Sequence, residues 1–161
     1  MSRFNAVYHH EKYQKLLCIL SELEKDRVFC RHHLQHFLDV ARIMYILNHE
    51  NDYHISKDII YAAALLHDIG RVMQYKDGTP HHLASIETAK EILPECGYDG
   101  RETEEIVNAI LSHRNKCDDN NKTVLAKLLY QADKLSRLCF DCNAEGECYW
   151  DKDKKNRDIN W

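Results

Sequence analysis

The chain has 161 residues, a formal net charge of −4, 44% hydrophobic residues and 30% charged residues. That length favours one domain with a real core, and a negative balance without a basic stripe argues against nonspecific binding to nucleic-acid duplexes. No apolar stretch approaches the ~20 residues that span a bilayer, and the opening MSRFNAVYHHEKY lacks an apolar signal core; the expectation is a cytoplasmic protein with no membrane partner.

Only 5 Gly and 2 Pro occur, and they fall between periodic segments, which suits helices joined by short loops. Tyr13, Leu16, Leu17, Leu20 and Leu23 stand at helical spacing and predict a first helix from about Ala6 to Glu24. A second, from about Arg31 to Asn48, buries Phe37, Val40, Ile43, Met44 and Leu47 beside His36. Ser56 reads as the N-cap of a third, which carries Ile59, Ile60, Ala63, Leu66 and His67 and stops at Gly70, taken as a left-handed residue past the helix end. Thr79–Pro80 then opens a fourth helix that ends near Pro94. A turn at Gly97 to Gly100 precedes a fifth, from about Glu102 to His113, with Ile106, Val107, Ile110 and Leu111 inward. A polar loop from Asn115 to Lys122 leads to a sixth, from about Thr123 to Leu138, which buries Leu125, Leu128, Leu129, Ala132 and Leu135. Strand alternation is missing throughout. The pattern predicts an all-α, single-domain bundle of about six helices, with a core over about residues 31–137 and a polar, aromatic tail over 139–161, where Trp150 and Trp161 are the residues to pack it back.

Seven cysteines, an odd number without secretory context, read as reduced thiols. Cys139, Cys142 and Cys148 begin with CxxC spacing, but a structural zinc site usually has four ligands and no fourth is evident; Cys18, Cys30, Cys96 and Cys117 are scattered. Of the 11 histidines, His9, His10, His32, His33, His49 and His54 are assigned to polar helix faces or loops.

Five segments place a metal-capable side chain beside a buried stripe: His36, the pair His67–Asp68, His81 or His82, His113, and Asp133. A lone His on such an edge is commonly a hydrogen-bonded core residue. Asp133, within LLYQADKLSRL, is costly to bury unless it pairs with Lys134 or Arg137 or binds metal. His67–Asp68 ends the apolar turn AAALLHDIG, and adjacent helical side chains diverge by ~100°, so the two can reach around an ion from one helix end.

In chain order the set reads His36, His67–Asp68, His81, His113, Asp133. This order resembles the HD superfamily of metal-dependent phosphohydrolases. HDIG followed by Arg71 is close to that superfamily's HDIG signature; HHLASIETAKEIL resembles its segment with His four residues before a small residue, here His81 and Ser85; QADKL resembles the segment bearing its final Asp. The resemblance covers Arg31 to Arg137 and implies a helical bundle with its ligands in one cleft. It implies that His36, His67, Asp68 and Asp133 hold a first metal. His81, with His82 as its rival, and His113 match the extra histidines of two-metal members, in which Asp68 bridges. The pattern looks most like the small bacterial HD hydrolases that cleave diadenosine tetraphosphate symmetrically.

Mixed nitrogen and oxygen donors suit one or two ions of Fe, Mn, Zn, Co or Ni better than Mg or Ca. Two ions ~3.5–4 Å apart would lower the pKa of a water between them, with Asp68 orienting it. Arg71 would grip a phosphate oxygen through its planar fork; Arg137 is a further substrate contact, Arg114 a weaker one, and Lys134 either a phosphate contact or a surface residue. The expected activity is hydrolysis of a small phosphorylated substrate: a nucleotide or another phosphate ester or anhydride. A di-iron oxygenase built on the same six ligand types is one rival. A non-catalytic nucleotide-binding domain, which predicts an incomplete ligand set, is another. Specificity is expected in loops such as Gln74 to Pro80, and the sequence is compatible with a homodimer.

Overall fold

A computed structural model describes residues 1–113, 122–159 and 161; Arg114, Cys117 and most of the expected polar loop lie outside them. The described residues are helical and contain no strand. Eight α-helices follow one another: α1 (Arg3–His9), α2 (Glu11–Leu23), α3 (Leu34–Glu50), α4 (Lys57–Leu66), α5 (Arg71–Asp77), α6 (His81–Glu95), α7 (Gly100–Ser112) and α8 (Val124–Leu135). Short 3-10 turns at Cys139–Asp141, Glu145–Glu147 and Lys152–Lys154 complete the chain.

The all-α bundle is the expected one, with more helices than the periodicity suggested. The first predicted helix is broken at His10, whose backbone is extended (φ −62°, ψ 130°) and whose ring Nδ1 accepts from Lys12 N to cap α2. The other extra helix is α5, which takes up the first part of the expected loop from Gln74 to Pro80. Elsewhere local chemistry sets the ends: Ser56 and Thr123 cap α4 and α8 through their hydroxyls. Asp99 and Glu102 form a reciprocal capping box on α7.

The hub is α4, which packs against α1, α3, α6, α7 and α8. Ile60, Ala62, Ala63, Ala64 and Leu66 have no exposed surface. Three consecutive alanines let neighbouring helices come close, while each buried Leu or Ile contributes about 1.5–3 kcal/mol. Tyr13 of α2 reaches in to donate its hydroxyl to Leu65 O at 3.1 Å. The end of α4 is thereby fixed in the middle of the molecule, and it delivers His67 and Asp68 there.

Gly70 corrects the expectation of a left-handed residue. Its backbone is right-handed (φ −67°, ψ −5°), and it opens α5. It is glycine because α6 lies on top of it: a Cβ would stand 2.2 Å from His81 O and 2.4 Å from Ser85 N. The Gly70 amide donates to Ser85 Oγ at 2.9 Å. This contact draws the start of α6, and His81 with it, against the end of α4.

The tail is tied to the bundle mainly through polar groups. Asn156 Nδ2 donates to the carbonyls of Lys134, Leu135 and Arg137, closing the end of α8. Arg137 lies 4.0 Å over the Trp150 ring, so Trp150 does pack back, whereas Trp161 is 44% exposed.

Candidate metal centre

Five helices bring metal-capable donors to a common cleft. His36 comes from the first turns of α3, His67 and Asp68 from the turn after α4, His81 from the start of α6, His113 from the cap of α7 and Asp133 from the last turns of α8. Their donor atoms gather into two adjoining trios, His36–His67–Asp133 and Asp68–His81–His113, each within 4.8 Å, and a third trio of the same spread, His32–His36–Asp68, links them. Asp68 stands between the trios: Oδ2 is 3.8 Å from His67 Nε2, and Oδ1 is 3.1 Å from His81 Nε2 and 3.5 Å from His113 Nε2. His81, not His82, enters the cluster among the described residues.

The imidazoles share one orientation rule. His67 Nδ1 lies 2.7 Å from Ala64 O, and His113 Nδ1 is in contact with Ile110 O. His81 Nδ1 is 2.9 Å from Gln74 Oε1. Ser136 spends its only hydroxyl proton on Asp133 O at 2.9 Å, so at 3.3 Å its oxygen must accept from His36 Nδ1. In every case Nδ1 carries the proton and Nε2 presents a lone pair to the cleft, the tautomer that ligates metal.

The charge state agrees. Burial, with His67 alongside, pushes His36 down to about 3, and burial lowers His67 as well. Burial alone would raise Asp68, but His67, His113 and Arg71 outweigh it and hold the carboxyl well below the usual range. Burial opposes ionisation of Asp133 too, and Lys134 and His67 outweigh it. His36 and His67 are therefore neutral imidazoles beside the ionised carboxylates of Asp68 and Asp133. His36 Nε2, His67 Nε2 and Asp68 Oδ1 are buried and make no hydrogen bond. Such orphaned acceptors are costly unless a cation satisfies them, and the donor set fits divalent transition metal.

Arg71 is at this site, its Nε donating to Asp68 Oδ2 at 2.9 Å. Lys134 pairs with Asp133. Arg137 lines the same cleft but stacks on Trp150 rather than pairing with Asp133. The cleft measures ≈ 1230 Å³, above the ~300–1,000 Å³ usual for small-ligand sites.

One participant escaped the sequence. His32, expected on a polar face or loop, does lie in the loop before α3, but it is only 8% exposed. Its backbone N donates to Glu24 Oε2 at 2.5 Å, its Nδ1 lies 2.9 Å from Glu24 Oε1, and its Nε2 is 3.4 Å from Asp68 Oδ2. Burial opposes ionisation of Glu24, yet its bonds from His32 bring it down to about 2. A buried carboxylate that turns an imidazole toward a second carboxylate equips it for proton transfer or for metal ligation. The spacing His32–His36 was the only available signal, and Glu24, eight residues back, carried none.

A family model described as the HD domain matches residues 34–138. A Clostridium beijerinckii protein of uncharacterised function is 47% identical over 156 residues, 97% of each chain. Ribonuclease Y of Nitratidesulfovibrio vulgaris is 30% identical over 127 residues, 79% of this chain but 22% of that one. The chain thus spans under a quarter of the ribonuclease Y relatives it matches. The crystal structure of a predicted HD superfamily hydrolase from an uncultured Thermotogales bacterium superposes with a TM-score of 0.64 at 25% identity, covering 88% of this chain and 80% of that one.

Proposed function

This chain belongs to the HD domain family, and on that premise we propose that it is a metal-dependent phosphohydrolase acting on a nucleotide or a similar small phosphate ester or anhydride. The observation that carries the reading is the pair of adjoining donor trios with Asp68 between them. His36, His67, Asp68 and Asp133 would hold one divalent ion and Asp68, His81 and His113 a second, of Fe, Mn, Zn, Co or Ni. Bound there, the metal would supply positive charge that activates water and offsets charge developing on a phosphoryl group.

The chain's own groups divide the remaining work. Asp68, ionised and held on Oδ2 by Arg71, orients water at the junction of the trios. Arg71, 21% exposed at the side chain, lies where a phosphate oxygen would enter. His32 exchanges a proton at Nε2, and Glu24 behind it stabilises the imidazolium. Arg27, Lys134 and Arg137 along the cleft favour an anionic substrate with more than one phosphate.

The finer assignment, that the substrate is a dinucleoside polyphosphate cleaved symmetrically, rests on the ordered six-residue pattern. The test is a panel of diadenosine tetraphosphate, nucleoside mono- and triphosphates, and a single-stranded RNA oligonucleotide, each with the individual metals. Symmetric release of nucleoside diphosphate supports the assignment. Preference for RNA would move the substrate toward that of the ribonuclease Y relatives, and oxygen consumption by the iron form without phosphate release would overturn hydrolysis.

A further inference from the structure

Four cysteines that line the cleft are not used by the hydrolytic site. Cys139, Cys142 and Cys148 follow one another through tight turns: Cys142 N donates to Cys139 O at 3.4 Å, Glu145 N to Cys142 O at 3.1 Å, and Cys148 N to Glu145 O at 3.4 Å. Cys30, scattered by sequence, joins them in space. It lies beside Phe29, whose ring packs edge-on to Tyr149 at 5.9 Å, next to Cys148. All four line the cleft. Burial raises the Cys30 thiol, Arg137 acts against that, and Cys139 and Cys148 are both close enough to push it further up. None of the four is in a disulfide.

The tail that carries three of them has no core of its own. Of the described residues from 139 onward, Ala144 alone is buried, while Phe140, Tyr149 and Ile159 are exposed. A short polar segment cannot offset its ordering entropy by burial, and in such segments metal ligation commonly does so.

We propose that Cys30, Cys139, Cys142 and Cys148 form a four-thiolate site for a thiophilic metal, either an iron–sulfur cluster or zinc, that fastens the tail to the loop before α3. Among the described residues, no trio containing a cysteine has its donor atoms within 4.8 Å. Thiolates on one zinc ion stand roughly 3.8 Å apart, given a Zn–S bond of ~2.3 Å, so the wider spread favours the cluster. The site would place a sulfur-held metal two residues from His32.

The site is separable from the His/Asp cluster. Full-length protein is purified anaerobically and assayed for iron, acid-labile sulfide and zinc per chain, with absorption spectra, as wild type, Asp68→Ala, Cys30→Ser and Cys18→Ser. Expected is a thiolate-to-metal charge-transfer band that survives Asp68→Ala and Cys18→Ser and is lost in Cys30→Ser. Labile sulfide identifies the cluster; zinc, with the band appearing on cobalt exchange, identifies the single ion. Should Cys30→Ser not fold, an organomercurial titration of the Asp68→Ala protein must release metal in step with four thiols. Thiols that titrate without releasing metal, or a band unchanged in Cys30→Ser, would overturn the site.

Discussion

His32 donates from Nδ1 to Glu24 at 2.9 Å, and both groups are almost fully buried. The pair turns the opposite nitrogen toward Asp68 and fixes which proton can move. His32→Ala should lower kcat by about 10²–10⁴-fold, the usual range for a proton-transfer group, with metal content unchanged. Glu24→Gln should cost less and displace the pH–rate profile. Loss of metal in His32→Ala would make His32 a ligand instead.

Asp68→Ala removes the carboxylate between the two trios. Both metal retention and turnover should vanish, as read by elemental analysis and phosphate release, with helical circular dichroism preserved. Turnover at the wild-type rate would remove Asp68 from the chemistry.

The groups behind the imidazoles predict selective damage. Ser136 steadies His36 and Gln74 steadies His81. Losing such a partner typically weakens metal affinity 10–100-fold. Ser136→Ala should therefore weaken the ion at His36, and Gln74→Leu the ion at His81, as separate steps in calorimetric titration. Equal loss of both ions in either variant would contradict the assignment of partners.

Gly70→Ala should destabilise the protein by about 1–3 kcal/mol or more, since an overpacked contact must move backbone. The obstacle is His81 O at 2.2 Å from the new methyl. Displacing α6 should also lower occupancy at His81 and His113 before that at His36. Thermal melting and metal stoichiometry measure the two effects, and an unchanged melting temperature would show that α6 is not so closely held.

In metal-free protein, stability should fall with acid in two stages. His36 has a folded pKa near 3 against 6.5 ordinarily, and Glu24 near 2 against 4.5. In both, the folded form binds fewer protons than the unfolded chain. Their stabilisation is complete above pH 6.5, declines as His36's unfolded value is passed, and declines again below 4.5. Urea midpoints at pH 8, 6, 5 and 4 should decrease in that order, and a flat profile would contradict the burial of His36.

Periodicity made the bundle and the ligand helices readable because His36, His67, His113 and Asp133 ride on apolar stripes whose inward faces are self-evident. The resemblance supplied their order. Features that depend on one segment meeting another were not readable. Glu24 is the C-cap of α2 and His32 lies in a loop, so neither belongs to a repeating face. Gly70 gave a true signal with the wrong reason: glycine marked a close approach by α6, not a positive φ. Helix α5 buries only Val72, too little for a stripe. Cys30 stands more than a hundred residues before Cys139, and no spacing rule links them.

The Nδ1 anchors also link metal and phosphate in the cleft. With each ring proton committed to a carbonyl, carboxylate, amide or hydroxyl oxygen behind the site, the imidazoles offer lone pairs beside ionised carboxylate. Those groups alone give phosphate little to bind, and the cationic groups of the cleft, Arg71, Arg27, Lys134 and Arg137, lie around them. Metal should therefore strengthen phosphate binding, and phosphate affinity in equilibrium dialysis should rise in step with the metal titration.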